Sequence, residues 1–196
     1  GTEGDFPVSS VNDGRGDDTQ NDNYRWFSKE ALKGSGARGN AAYLIFDLGE
    51  NGPRSFSGID IRFHNMAYAT NYKILTTDNS TITTESLLAK DRVPEGWKVL
   101  YEKTHQETDS AYPKDHFEGK TEVGRYVMFF FTSMNSRAGL NSVSVREVQI
   151  WHKAITNVTM SASTLDLKAG DEAQQLTATV TPEDATYKAV EWSSNN

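Results

Sequence analysis

Residues 56–65 read FSGIDIRFHN, and their alternation sets the fold class. Ile59, Ile61 and Phe63 fall on one side of an extended chain, and Asp60 and Arg62 fall on the other. That is the pattern of a strand with one buried face and one wet face. Similar segments lie on both sides of it. AAYLIFDLG (41–49) is a nearly continuous apolar run closed by a glycine, and NYKILTT (71–77) and GWKVLYEK (96–103) are strand candidates. GRYVMFFFTS (124–133) is the most apolar segment, and SVSVREVQIWH (142–152) alternates again. The connecting DNST, PEG and NSRAG carry turn chemistry. Helical periodicity is confined to TTESLLAKDRV (83–93), which reads as an insertion and not as a core helix. Many short strands with turns between them predict an all-β sandwich or barrel.

Composition bounds the partners. Of 196 residues, 36% are hydrophobic and 24% charged, which is globular and not disordered. A net charge of −7 argues against nucleic acid or an anionic membrane surface as the main partner, because both want a basic face. The chain has no cysteine, so disulfides and thiolate metal sites are excluded. An exported domain without disulfides fits a bacterial surface better than a eukaryotic secretory route. No stretch is long and apolar enough to cross a membrane as a helix. No export signal is visible, and the expectation is that it lies outside these residues.

Enzyme signatures are missing. There is no GxSxG, no HExxH and no P-loop, and His64, His105, His116 and His152 show no metal-ligand spacing. GSGARG (34–39) fits G-x-G-x-x-G but leads into a strand, whereas a dinucleotide site needs it to open a helix. Arg-Gly-Asp within GRGDD (14–18) and the sequons at Asn79 and Asn157 read as incidental. The stretch NDGRGDDTQNDN (12–23) is a polar loop rich in oxygen donors of the kind calcium takes, but not an EF-hand loop.

Composition shifts at about residue 154. The tail is rich in Thr, Ala and Val and has strand-like stretches at 164–168, 175–181 and 188–193. The division expected is 1–153 and 154–196.

In order along the chain, DNYRW (22–26), YLIFDLG (43–49), IDIRFHN (59–65), NYKILTTD (71–78), GWKVLYE (96–102), GRYVMFFF (124–131) and VREVQIW (145–151) resemble the discoidin, or F5/8 type C, family. That family shares a galactose-binding-like jelly roll with many bacterial carbohydrate-binding modules. LDLKAGDEAQQLTATVTPEDATYKAVEWSSNN (165–196) resembles the opening half of a group 2 bacterial Ig-like domain. An Ig-like sandwich takes about seven strands and ~100 residues. The tail is therefore expected to be part of such a domain, completed by further chain or by a second molecule.

The resemblance implies a non-catalytic carbohydrate-binding or adhesion module of a larger bacterial surface or secreted protein, with an Ig-like spacer. It implies a glycan partner, of galactose or hexosamine type, and no catalytic residues. It places the sugar site on loops at one end of the sandwich, here 27–40, 64–70, 90–97 and 133–141. The ligand-binding residues would be His64, Asn65, Tyr68, Arg92, Asn135 and Arg137, with Phe27 and Arg38 adding from the first loop. It also implies a structural calcium held by Asp13, Asp18, Asn23 and Glu147. This chain lacks the threonine the family places before the tryptophan. Trp26, Trp97 and Trp151 sit in or beside strands and are assigned to the core. The alternative is an architectural domain that packs against a neighbouring catalytic or adhesin domain without binding sugar. A third reading, recognition of protein or lipid head groups, fits the acidic charge poorly.

Overall fold

The structure is a computed structural model that describes residues 8–14, 25–28, 42–49, 54–65, 67–78, 93–106, 113–135, 142–152, 154–183, 185 and 188–194. It is all-β. The strands are β1 (Trp26–Phe27), β2 (Ala42–Asp47), β3 (Arg54–Phe63), β4 (Ala69–Thr77), β5 (Lys98–Thr104), β6 (Lys114–Gly124), β7 (Tyr126–Met134) and β8 (Ser144–Trp151). They form two four-stranded sheets in the orders β1-β8-β3-β6 and β2-β7-β4-β5. All of the pairings are antiparallel.

The alternation read in β3 is realised directly. Ile59, Ile61 and Phe63 are fully buried between the sheets, while Asp60 and Arg62 are only partly covered. β7 lies inside its sheet and is buried on both faces, which is why its sequence is a continuous apolar run. Val127, Phe129 and Phe131 join the inter-sheet core. Met128 and Phe130 point the other way and pack with Leu75, Tyr43, Ile45, Val93 and Trp97. The core is aromatic. Phe63, Tyr72 and Phe131 meet pairwise with ring centroids 5.5–6.1 Å apart, and Trp26 stands 6.3 Å from Phe131.

Two of the sequence motifs are partners of each other. Arg125 donates from Nε and a terminal guanidinium nitrogen to both carboxylate oxygens of Asp47, at 3.2 and 2.9 Å. The Gly49 amide also donates to Asp47 Oδ1, and Leu48 N donates to the Arg125 carbonyl. The Arg125 hydrogen bond and the Gly49 amide hold the exposed Asp47 carboxyl below the usual carboxylate range. The DLG triplet and the RYV strand are thus one clamp at one end of the sandwich.

β6 was not anticipated. Its first half alternates like β3, with Asp115 and Phe117 inward and Lys114, His116 and Glu118 outward. The helical reading of 83–93 lies outside the described residues, apart from Val93.

In the tail, β9 (Asn157–Met160) pairs with β10 (Ala178–Thr181) as a separate two-stranded sheet. The stretch 175–181 is strand only in its second half, and 164–168 and 188–193 are not strand. A strand needs a ladder partner for its backbone groups. Instead, Lys168–Asp171 closes as a turn, with Gly170 at φ 96°. Leu165, Leu167 and Trp192 stay exposed at 41, 57 and 51%.

Candidate functional site

At the start of β4 and the end of β7, backbone hydrogen bonds draw the 64–68 turn together with two other segments. The Asn135 amide donates to the Tyr68 carbonyl, Ser144 N to the Ala67 carbonyl, and His64 N to the Ser144 carbonyl. β1 closes the same end, with Phe27 opposite Ser144 and Ser28 bonded to Val143 through both backbone and hydroxyl. His64, Asn65, Tyr68 and Asn135 therefore come together although up to 71 positions separate them in sequence.

Their exposures differ. His64 is 5% exposed, Asn65 half-buried, and Tyr68 and Asn135 fully buried. Tyr68 is not a surface ring. It packs edge-on to His105 at 5.9 Å and donates its hydroxyl to the Gln106 carbonyl. Asn135 Oδ1 and Nδ2, Asn65 Oδ1 and Ser144 Oγ are buried with no hydrogen-bond partner among the described residues. Each such atom costs about 1–3 kcal/mol unless something bonds to it. An amide offers a donor beside an acceptor, which matches adjacent hydroxyls of a ligand or a bound water.

Of the loop expected at 90–97, the described residues 93–97 do not lie at this end, contrary to the sequence-based expectation. Thr77 Oγ1 donates to the Gly96 carbonyl, and Thr77 pairs with Tyr126 at the start of β7. Val93–Trp97 thus sit at the opposite end of the sandwich. The loop leaves β4 at its far end, and strand direction fixes that placement. Arg92 and Arg137, like Arg38, lie outside the described residues. Phe27 is half-buried, with the Arg25 guanidinium 5.6 Å over its ring.

Beneath the loop end is a buried polar knot that the sequence did not suggest. Asp115 is 4% exposed and accepts hydrogen bonds from Tyr72 Oη at 2.5 Å and His105 Nε2 at 2.7 Å, and Lys103 Nζ stands 3.1 Å from its other oxygen. Burial alone would raise the Asp115 pKa, but the His105 and Tyr72 hydrogen bonds outweigh it and leave the carboxyl below its usual value. Burial, and then the adjacent Asp115 charge, push the Tyr72 phenol far above its ordinary value. Asp115 is therefore an anion and His105 Nε2 carries the hydrogen.

For the metal residues, Asp13 is exposed and Glu147 is 9% exposed. Asn12 and Gly14, which flank Asp13, line one cleft with Glu147. Carboxylate and amide oxygens suit calcium. Asp18 and Asn23 lie outside the described residues. Among the described residues, no group of three His, Asp or Glu side chains is arranged to hold a metal ion.

Trp26 is in the core, but Trp97 and Trp151 are not fully buried. Trp151 lies on the outward face of the first sheet. Its Nε1 donates to Asp60 Oδ2 at 3.1 Å, and its ring is 5.9 Å from that of His116, nearly parallel at 19°. His116 bridges two carboxylates, with Nδ1 2.7 Å from Asp60 and Nε2 3.3 Å from Glu118. The Asp60 bond, and then the Glu118 bond, raise the His116 pKa above 6.5. A proton titration followed by NMR is expected to place His116 above that value, and Asp60→Asn is expected to bring it down. The paired state stabilises the fold below the ordinary histidine pKa and fades as pH rises through the raised one. With the His116 side chain 53% exposed, the effect on stability is small.

Comparison with solved structures defines the class of fold. The chain resembles chitosan-binding module 1 from a chitosanase/glucanase of Paenibacillus sp. IK-5, with TM-score 0.52 and 18% identity over 76% of this chain and 87% of that one. The family 32 carbohydrate-binding module of Clostridium perfringens NanJ, solved with galactose, aligns at TM-score 0.48 and 18% identity over 76% of this chain and 86% of that one. The fold of β1–β8 is the β-sandwich of such modules. Residues 154–196 match the family described as Bacterial Ig-like domain (group 2). No curated protein matches the sequence.

Proposed function

We propose that the chain is a carbohydrate-binding module of a larger bacterial surface or secreted protein, dividing at Lys153–Ala154 into a binding sandwich and an Ig-like spacer. It acts in adhesion or in targeting a neighbouring domain and has no catalysis of its own. The observation that carries this reading is the set of buried polar atoms on Asn65, Asn135 and Ser144 that have no hydrogen-bond partner among the described residues, gathered at one end of a module-like sandwich. Sugar hydroxyls supply the missing partners, with His64 beside them and Arg137 kept as a further ligand residue. Arg92 is left out, because the described part of its loop lies at the other end. A galactose- or hexosamine-type glycan is the ligand class. The similarity to a chitosan-binding module agrees with the second.

A glycan array probed at high protein density tests the proposal. Binding to galactose- or hexosamine-type glycans that is lost in His64→Ala is the expected result. A folded protein silent across the array would favour the architectural reading, to which the complete burial of Tyr68 and Asn135 also lends support.

The calcium proposal rests on Asp13 and Glu147, completed by Asp18 and Asn23. A stabilising ion at about 100 times its dissociation constant raises stability by ~2.7 kcal/mol, or roughly 5–10 °C in Tm at this size. A melt in calcium against one in chelator should show that difference, and Glu147→Gln should shrink it. Coincident melts would remove the metal from the account.

A further inference from the structure

The outward face of β8, β3 and β6 is a built surface that lies away from the loop end. The register sets its side chains in rows. Trp151, Gly58 and Glu118 face one another across the three strands, and Gln149, Asp60 and His116 form the next row. Gly58 is what lets the first row close. A Cβ there would stand 2.0 Å from the Trp151 ring, so only glycine lets the indole lie across the sheet. Asp60 then fixes the ring by accepting its Nε1–H, and also holds the His116 imidazole in place. Two near-parallel rings are thus locked before any ligand arrives. The His116 side chain is 53% exposed, and the Asp60 and Glu118 side chains are 20 and 39% exposed.

Nothing in the inter-sheet core calls for this arrangement. A half-buried indole fixed across the sheet by a carboxylate, beside an exposed imidazole, presents an apolar floor with hydrogen-bond acceptors at its edge. Such a floor fits the C–H face of a pyranose, while Asp60, Glu118 and the exposed Gln149 accept from or donate to its hydroxyls.

We propose that this face is a second carbohydrate-binding surface, with Trp151 and His116 as the stacking floor for one pyranose ring. It rests on the reading of the chain as a sugar binder for its ligand class but not for its location. Two separated contacts on one module would raise avidity for a polymeric glycan over any single sugar.

The test follows the Trp151 indole N–H and the His116 ring protons by NMR, assigned with Trp151→Phe and His116→Ala, during titration with galactose and with chitotriose. The expected result is a saturable shift of both with at least one sugar, persisting in Asn135→Leu. His116→Ala, an exposed substitution that leaves the core intact, should weaken that binding roughly two- to tenfold. Unmoved Trp151 and His116 signals alongside shifts at residues 64–68 and 135 would overturn this surface and leave the loop-end site standing. Shifts at Trp151 and His116 alone would uphold it and overturn the loop-end site. No shift anywhere would overturn both.

Discussion

Replacing Asp115 by alanine is expected to destabilise the sandwich by about 3–5 kcal/mol, the usual cost of removing one partner from a buried charged cluster. At this chain length that is roughly 6–20 °C in Tm. The cause is local. Tyr72 and His105 lie in the core with their donors aimed at one carboxylate, and Lys103 neutralises it from the edge. Without the carboxylate, a phenol and an imidazole N–H are left buried and unanswered. Asp115→Asn keeps an acceptor but turns a second donor toward Lys103 or His105, so it should fall between wild type and alanine. The pH dependence has a definite sign. The Asp115 carboxyl is held below its unfolded value, so its contribution is complete above the ordinary carboxylate range and is lost as pH falls through the lowered pKa. Thermal melts from neutral to acid pH should show that loss in wild type and not in Asp115→Ala. Because His105 also packs on Tyr68, the floor of the loop end should loosen together with the core.

Asn135→Leu is expected to do the opposite to stability and more to binding. Both ends of the Asn135 amide are buried with no partner among the described residues. Leucine has nearly the same shape and no polar atom, so the unbound protein should gain about 1–3 kcal/mol. If those atoms exist to meet sugar hydroxyls, affinity for the array-selected glycan should fall at least about tenfold. A gain in stability paid for in function is the signature of a binding residue. If instead the amide holds a structural water, Asn135→Leu will leave affinity unchanged and lower stability. A paired urea titration and calorimetric binding series separates the two.

The fold was legible in the chain because β2, β3, β7 and β8 write their burial into local alternation or apolar runs. What escaped was set by pairings far apart in sequence. β6 was hidden because one of its inward positions is Asp115, which reads as polar until Tyr72 and His105 are brought to it. Trp151 reads as core from its place in a strand. Only the register that puts Gly58 opposite it turns the ring outward. Of the loop expected at 90–97, the described residues 93–97 lie at the other end, because strand direction, and not loop sequence, decides which turns are neighbours. The family resemblance implies His64, Asn65 and Asn135 as ligand residues. Their burial does not follow from it, because it comes from three segments bonded through Tyr68, Ala67 and Ser144.

In the proposed function, sugar meets the chain at the end built from 64–68, 135 and 142–144. Backbone amide shifts recorded while galactose, and then chitotriose, is added to the labelled protein test it most directly. Saturable shifts at His64, Asn65, Tyr68, Asn135 and Ser144 with at least one of them are the expected result. A folded protein whose amides at that end stay fixed, or move only around Thr77, Gly96 and Trp97 at the other end, would contradict it.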